Sequence, residues 1–320
     1  MSSHSIDAGR APSDWRAVLR GQAPLDRRTA GIYRLLAIQA LLTALLAAAF
    51  GFAYRGEGIN EVFGLFAGVI ALAALLRWRG LTRLAAAGEA AVLITLASMA
   101  AAFQCVLLSA AGFGYRDPWL AAADRLLFPF LDWAETARAL AGQRELVTWM
   151  CTVYTSLLWQ PYLLALVLGT IGRHDQLWRF VRAWALALVA TVALFGVMPA
   201  VTPYVYFGFA PADLPHLTVN AGWRPAEIIA ALRSGELREL SSGNMAGLVT
   251  FPSFHTAAAV LLAWGFRGVP IVGRALLALN LVMILTVPMI GSHYFVDVLG
   301  GLAVAALAIR ATRDRANAAA

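Results

Sequence analysis

Two short stretches near the C-terminus, Phe251-Pro252-Ser253-Phe254-His255 and Gly291-Ser292-His293-Tyr294-Phe295-Val296-Asp297, decide how this chain folds and what chemistry it can carry. The chain has only five histidines, and His255 and His293 each open an apolar segment. Asp297 follows His293 by four positions, which puts the two side chains on one stripe of a helix. A carboxylate there can bind one imidazole nitrogen and leave the other nitrogen free to react.

The rest of the chain has the composition of a membrane protein. Of its 320 residues, 60% are hydrophobic and only 13% are charged, whereas soluble domains carry about 25% charged residues. Eight apolar segments approach the length of about 20 residues that a helix needs to cross a bilayer. They cover residues 32–53, 61–77, 88–112, 146–171, 178–200, 254–267, 272–290 and 294–310, the second and sixth being short. The sequence therefore predicts an all-α polytopic membrane bundle of about eight transmembrane helices.

The placement of arginine predicts the orientation of this bundle. All 25 basic residues are arginine, and the net charge is +7. With the N-terminus in the cytoplasm, 17 arginines fall on the inner side and 8 on the outer side, as the positive-inside rule requires. We therefore expect both termini in the cytoplasm. The basic charge reflects orientation in a membrane, and no nucleic-acid partner is expected.

Two long outer segments predict helices on the outer membrane surface. Residues 113–145 contain Asp117-Pro118, a helix start with proline at its first position, followed by apolar residues at helical spacing. Residues 201–250 contain Arg224-Pro225 and a similar amphipathic pattern. These helices either cover the site or only anchor the bundle. Within the spans, Gln160-Pro161 predicts a kink whose freed backbone group the glutamine side chain satisfies.

Other interpretations of the two histidines are open at this level. A histidine at a helix end is commonly a satisfied interfacial residue, and His-x-x-x-Asp spacing also suits a metal site. However, the sequence shows no further ligands at the usual spacing, so no metal or cofactor is expected. His216 lies in a Leu-Pro-His loop and is expected to be structural or solvent-facing.

The two stretches resemble the paired motifs of the type 2 phosphatidate phosphatase superfamily. Phe251–Ala257 is similar to its PSxH motif, and Gly291–Gly301 to its HxxxD motif. The variant with HYxxDxxxG resembles the branch that contains inositol phosphorylceramide synthases. The resemblance implies a phosphatase-like core at 88–311, made of six helices. Residues 31–87 would add two N-terminal helices, with tails at 1–30 and 312–320.

The resemblance also implies a role for each site residue. His293 would be the nucleophile that becomes a phosphohistidine, and Asp297 would fix its tautomer. His255 would protonate the leaving oxygen, and Ser253 would bind a phosphoryl oxygen. No metal is implied.

The chain departs from the family pattern in its cations. It contains no lysine, and Thr286 and Val287 stand where the family usually has serine and arginine. Because a transferring phosphoryl group needs charge stabilisation, we expect another arginine to serve. Arg224 is the preferred substitute. The other outer candidates are Arg116, Arg125, Arg233 and Arg238.

The sequence thus favours a metal-independent phosphohydrolase or phosphotransferase that acts on a lipid-linked phosphate at the outer face of a bacterial inner membrane. Whether water or an alcohol accepts the phosphoryl group is left open, as is the oligomeric state. A lipid or lipid-phosphate transporter is an alternative, although transport sites usually lie near the midplane on repeated, broken helices. A catalytically inactive scaffold of the same fold is a second alternative.

Overall fold

The computed structural model describes residues 27–56, 58–219, 222–241 and 247–313. Most of the predicted tail at 1–30, and nearly all of the tail at 312–320, lie outside the described residues. In chain order the helices are α1 (Arg27–Ala49), α2 (Ile59–Trp78), α3 (Thr82–Ser109), α4 (Asp117–Leu127), α5 (Trp133–Ala141), α6 (Arg144–Thr155), α7 (Gln160–Thr170), α8 (His174–Val197), α9 (Pro203–Tyr206), α10 (Arg224–Ser234), α11 (Phe254–Gly265), α12 (Val272–Ile290) and α13 (Phe295–Ala311). Two short strands, β1 (Ala53–Tyr54) and β2 (Glu239–Leu240), pair in parallel.

Each of the eight predicted apolar segments is helical, and the predicted all-α polytopic bundle is confirmed. In the described part of the chain, five helices (α1, α2, α3, α8 and α12) are long and apolar enough to cross a membrane. The pair α6–α7 makes a sixth candidate span. The two helices that begin at the motifs are shorter, with 12 residues in α11 and 17 in α13. The total of eight spans therefore stays a prediction.

The predicted kink lies between α6 and α7, where the chain bends by 46°. Pro161 stands in the first turn of α7, where its missing N–H costs no helical hydrogen bond. The sequence predicted that the side chain of Gln160 bonds a freed backbone group, but it bonds two other side chains instead. Its amide nitrogen donates to Ser156 Oγ at 2.9 Å, and its oxygen accepts from Asn280 Nδ2 at 2.7 Å. The kink thus ties the bent span to α12.

Helices are present in both segments that the sequence placed on the outer side, but residues 113–145 form two helices instead of one. Asp132 begins the second, its side chain accepting from the Glu135 N–H at 2.8 Å. Apolar side chains on α4 and just after it are exposed, including Trp119 at 66% and Leu126 at 79%. This apolar surface suits a helix that lies in the membrane interface.

The centre of the bundle is α11, which packs against α7, α8, α12 and α13. Its small and branched side chains are fully buried, among them Ala257, Ala258 and Leu261. Gly301 on α13 lies against its start, because a Cβ there would be 2.4 Å from the Ser253 carbonyl oxygen. The absence of side chains at Gly300 and Gly301 lets α13 touch the first motif directly.

The two N-terminal helices contact the rest of the bundle through polar groups. Glu89 on α3 is buried and bonds both Tyr33 on α1 and Arg77 on α2. Gln39 on α1 donates to Gln104 on α3 at 3.1 Å. At the other end of this hairpin, β1 pairs with β2, so α1 and α2 are attached at both ends.

Candidate active site

The first motif starts α11 and sets the position of His255. Ser253 is the N-cap residue, with its hydroxyl accepting from the Thr256 N–H at 3.3 Å. Its own N–H donates to the Asp297 carbonyl oxygen at 3.0 Å. The two motifs, 40 positions apart, are therefore joined by a direct backbone hydrogen bond, and His255 projects from the first turn of α11.

The second motif holds His293 against Asp297. Nδ1 of His293 lies 3.1 Å from Asp297 Oδ2, and that oxygen also accepts from the Tyr294 N–H at 2.9 Å. Both side chains are buried. Because an ionised carboxylate only accepts hydrogen bonds, the contact favours a proton on Nδ1. Nε2 is left with a lone pair and, among the described residues, has no hydrogen-bond partner.

The other oxygen of this carboxylate has no donor. Asp297 Oδ1 is buried and has no hydrogen-bond partner within the described ranges. Since burial without donors disfavours an ionised carboxylate, the negative charge depends on the contact with His293 and on the Tyr294 N–H. In a medium of low dielectric constant, that charge stabilises a positive imidazole more strongly than it would in water.

The loop that carries His293 is fixed by residues from α4 and α5. The indole of Trp133 donates to the His293 carbonyl oxygen at 2.9 Å. Asp124 accepts from the N–H groups of Phe295 and Val296 at 2.9 and 2.7 Å, which satisfies donors at the start of α13. Burial raises the pKa of the Asp124 carboxyl, and these two N–H groups oppose that rise. Both α4 and α5 therefore support the site directly.

Asp117, the first residue of α4, also binds the loop that carries His293. It accepts from the Tyr294 hydroxyl and from the Val201 N–H, each at 2.9 Å. Sequence reasoning placed Asp117 at the start of an amphipathic helix and Asp124 among its charges, whereas both are buried. Their spacing of seven positions, which puts both on one helix face, was the only signal in the sequence for the place of these two residues.

His255 is held by a residue that the sequence did not single out, Tyr154 on α6. The two rings stack with centroids 3.9 Å apart and an interplanar angle of 14°. The tyrosine hydroxyl lies 3.0 Å from Nδ1 of His255. Nothing in the apolar sequence around Tyr154 distinguishes it from a core residue.

Gly291 lies between the two histidines. A Cβ built on it would lie 2.8 Å from Cδ2 of His293 and 2.8 Å from the Tyr154 hydroxyl oxygen. Those two atoms are therefore no more than twice that distance apart. Since the same hydroxyl contacts His255, the absence of a side chain at position 291 brings both imidazoles to one place.

Both histidines line a cavity of about 760 Å³. Tyr154 and Arg224 lie in the same lining, and most of the remaining wall is formed by α3 and α8. The lining includes Thr95, Met99 and Cys105 on α3. The first and last of these are ten positions apart, or about 15 Å along the helix axis. The cavity thus joins a polar end to a long, mainly apolar wall.

Arg224 is the one arginine in this lining, among the described residues. It also lines a second cavity of about 570 Å³, together with Trp223 and Glu227. Two of the other candidates have partners elsewhere. Arg233 donates to the Phe113 carbonyl oxygen at 2.6 Å, and Arg238 to the Leu232 carbonyl oxygen at 2.6 Å.

Of the five residues singled out from the sequence, His255, His293 and Arg224 line the cavity. Asp297 does not, and neither does Ser253. It is completely buried, and its hydroxyl caps α11. The bonds of Asp297 also place that residue behind His293. The structure therefore brings His255, His293 and Arg224 to one cavity, with Asp297 supporting the second histidine.

The described residues contain no arrangement of side chains that could bind a metal ion. No group of three histidine, cysteine, aspartate or glutamate side chains lies close enough together to hold a metal ion there. His293 and Asp297 bond to each other. His216, expected to be structural or solvent-facing, is not part of the lining of either cavity.

Comparison with known proteins gives one family. A family model described as the PAP2 superfamily matches residues 118–311, which is more than half of the chain. No curated protein and no solved structure matches. The matched range contains both motifs and the helices from α4 to α13, but it begins after α3.

Proposed function

Because this chain belongs to the PAP2 superfamily, we propose that it is a metal-independent phosphohydrolase or phosphotransferase that acts on a lipid-linked phosphate through a phosphohistidine. Membership confirms the superfamily and supports phosphatase-type activity on phosphate esters. The branch that contains inositol phosphorylceramide synthases stays a prediction. One observation carries the proposal: His293, bonded through Nδ1 to Asp297, lines the same cavity as His255 and Arg224.

In the first step, the Nε2 lone pair of His293 attacks phosphorus, and the bond from phosphorus to the lipid oxygen breaks. His255, in its imidazolium form, gives its Nε2 proton to that oxygen and becomes neutral, so the lipid leaves as an alcohol. Asp297 stabilises the positive charge that develops on the phosphorylated ring. Arg224 offsets the negative charge on the phosphoryl oxygens.

In the second step, an acceptor oxygen attacks phosphorus, and the bond from phosphorus to Nε2 of His293 breaks. The acceptor proton passes to His255, which restores the starting protonation states. With water as acceptor the product is inorganic phosphate. With an alcohol as acceptor the product is a new phosphate ester, and the second cavity beside Arg224 offers room for that alcohol.

The shape of the cavity supports a lipid substrate. Its wall along α3 and α8 is mainly apolar and lies within candidate membrane spans. A hydrocarbon chain lying there leaves water, which is favourable by about 25 cal/mol for each Å² removed. The phosphate then lies at the polar end, beside the two histidines.

The arginine distribution supports an orientation in which the site faces the outside. For a bacterial inner membrane this places the site at the periplasmic face, with both termini in the cytoplasm. The transporter alternative has less support, since the polar groups of the site meet at one end of the bundle and bond to one another. The inactive-scaffold alternative loses its main argument, because the histidines and an arginine share one cavity.

The proposal is tested by phosphate release from phosphatidate, lysophosphatidate and isoprenyl diphosphate, with the purified protein in detergent and EDTA present. We expect EDTA-resistant release that His293→Ala and His255→Ala abolish while both variants remain folded. His216→Ala is the matched control and should keep wild-type rates. Full activity in either site variant would overturn the assigned roles.

If no substrate releases phosphate, the same substrates are offered with an alcohol acceptor, and acid-labile phosphate is measured on the protein. Acid-labile phosphate on the wild type, without release of inorganic phosphate, indicates a transferase that lacks its acceptor. Unlabelled protein with all three lipids contradicts the phosphohistidine mechanism.

A further inference from the structure

Helix α4 has an inverted distribution of polar and apolar side chains. Its buried face carries two carboxylates, those of Asp117 and Asp124. Its other face exposes Trp119 and Leu126, which lie seven positions apart and therefore on the same side of the helix. A surface helix in water places its charges outside and its apolar side chains inside. The exposed face of α4 therefore suits a lipid environment better than water.

The apolar surface continues beyond α4 into the turn that leads to α5. Leu127, Phe130 and Leu131 are all exposed, and Phe130 is 96% exposed. We call Trp119, Leu126, Leu127, Phe130 and Leu131 the α4 patch. Large apolar side chains that are exposed together are typical of a surface that contacts another protein or a membrane.

The position of α4 in the bundle favours the membrane. Asp117 accepts from the N–H of Val201, just after the end of α8, and Asp124 accepts from the N–H of Phe295, just after the end of α12. Both α8 and α12 are candidate membrane spans. Helix α4 therefore lies at the level where two spans end, which is the boundary between hydrocarbon and headgroups. The exposed Arg125 suits the phosphates of those headgroups.

We propose that the α4 patch binds the bilayer surface and that this contact holds the loop of His293 in its working position. Lipid contacts one face of α4, and the carboxylates on the opposite face transmit that contact to the loop. The inference rests on the proposed function for its effect on turnover. The contact with lipid and its effect on the loop are independent of that function.

The connection between the patch and His293 is short. Asp124, two positions before Leu126, accepts from the first two N–H groups of α13 at 2.9 and 2.7 Å. Phe128, within the segment that carries the patch, has its ring centroid 5.8 Å from that of Phe295. Because Phe295 follows His293 by two positions, a displacement of α4 also displaces the loop. A misplacement of about 1 Å can lower a rate about 100-fold.

The first test measures where the patch lies and requires no activity. Phe130→Cys carries a nitroxide label in a chain whose two cysteines, Cys105 and Cys151, are replaced by alanine. The full chain is placed in vesicles of phosphatidylcholine and phosphatidylglycerol. We expect oxygen, and not a polar nickel complex, to relax the label, at a depth of about 5–10 Å.

Glu236→Cys is the matched control, because Glu236 is exposed and charged in the turn after α10. A label at this position should be relaxed by the nickel complex. Relaxation of the Phe130 label by nickel places the patch in water and overturns the proposal. Broadening between two Phe130 labels places the patch against a second copy of the chain and overturns it as well.

The second test measures whether the contact reaches the loop. Leu126→Ser/Phe130→Ser removes apolar surface without changing a buried residue. We expect hydrogen exchange in residues 293–297 to become about tenfold faster in vesicles, because the N–H groups bonded to Asp124 lose a fixed partner. Ile271→Ser is the control, since Ile271 is 75% exposed and lies at the far end of α12 from the histidines. Unchanged exchange in the double variant makes the patch an anchor only and overturns the proposal.

Activity measurements separate this inference from the proposed function. With dihexanoyl phosphatidate, which is soluble in water, we expect kcat in Leu126→Ser/Phe130→Ser to fall about 10- to 100-fold, because the defect lies in the loop. Ile271→Ser should keep wild-type rates. A loss confined to long-chain phosphatidate indicates that the patch only admits substrate and overturns the coupling. If the wild type releases no phosphate, the proposed function fails, while label depth and hydrogen exchange still decide this inference.

Discussion

At the scale of single residues, the candidate site depends on how each histidine is bonded on the side away from the cavity. Asp297 is completely buried, and one of its oxygens accepts both from Nδ1 of His293 and from a backbone N–H. The backbone donor orients the carboxylate, and the carboxylate orients the ring. Replacing the carboxylate by an amide of the same shape should therefore disturb both the tautomer of the ring and the stabilisation of its charge.

Asp297→Asn makes this replacement. The amide is nearly the same size, but it cannot stabilise a positive ring, and its NH₂ group favours the wrong tautomer of His293. We expect kcat for phosphate release to fall by about 10³-fold or more, as removal of a tautomer-fixing carboxylate does elsewhere. Steady-state kinetics with phosphatidate provides the measurement.

Asp132→Asn is the control, because asparagine also caps a helix well and Asp132 lies outside both cavities. It should behave as wild type. A loss of less than tenfold in Asp297→Asn would contradict the role assigned to the carboxylate.

Gly291→Ala tests the close approach of the two histidines. The backbone at Gly291 has a φ of −82°, which alanine adopts without strain. The added methyl, however, would lie 2.8 Å from both His293 and Tyr154. We expect kcat to fall about 100-fold, the effect that a misplacement of about 1 Å can have.

Gly64→Ala on α2 serves as the comparison, since a Cβ there meets nothing within 4 Å. It should leave both activity and melting temperature unchanged. Wild-type turnover in Gly291→Ala would show that the two rings need not be so close together.

At the scale of helices, the bent span α6–α7 is joined to α12 by one buried polar pair. Gln160 and Asn280 are both buried, and their amides are 2.7 Å apart. The bend lets α6 bring Tyr154 to the site while α7 continues through the bundle. Exposure of either amide to a hydrocarbon interior without its partner would cost free energy.

Asn280→Leu should lower the free energy of unfolding by about 1–2 kcal/mol, because it leaves the Gln160 oxygen without its donor. The double variant Gln160→Leu/Asn280→Leu should recover part of that loss, since neither polar group is then buried alone. Thermal unfolding in detergent measures both. Strictly additive losses in the double variant would exclude a coupled pair.

At the scale of the whole molecule, the family match and the cavity have different boundaries. The match begins at residue 118, whereas α3 (Thr82–Ser109) supplies much of the apolar cavity wall. Helix α3 therefore belongs to the wall of the candidate site, and the core that was expected to start at residue 88 stays a prediction. The helices α1 and α2 contact α3 from outside this wall.

Deletion of residues 1–80 tests this boundary. The deletion removes Tyr33 and Arg77, the partners of Glu89, so it is combined with Glu89→Gln to avoid a buried charge without partners. This variant should retain at least about a tenth of wild-type kcat, because the cavity wall is intact. Deletion of residues 1–111 should abolish activity. Phosphate release from the folded fraction, isolated by size-exclusion chromatography, distinguishes the two.

Loss of activity in a folded variant lacking 1–80 would mean that α1 and α2 contribute to the site. The pairing of β1 with β2 gives a route for such an effect, since β2 precedes the segment at 247–249 that borders the cavity. Breaking the ion pair between Arg55 and Glu239, at 2.8 Å, would then reduce activity in the full chain as well.

The sequence alone determined those features that depend on neighbours along the chain. Apolar length and helical period located all eight helical segments, and Pro161 marked the bend, because these signals act within a few helical turns. The spacing of His293 and Asp297 predicted their contact, although His293 lies just before α13 instead of on one stripe of the helix. The resemblance to the superfamily likewise rested on two contiguous motifs.

Only the tertiary structure decided which distant residues complete the site. Tyr154 lies 101 positions before His255, and Asp117 lies 177 positions before Tyr294. Ser253 turned inward as a helix cap instead of lining the cavity. A tyrosine in an apolar run, or an aspartate on an amphipathic helix, has no local signature of its partner. Those contacts exist because the bundle packs α4 against α13 and α6 against α12, and packing is decided by the whole chain.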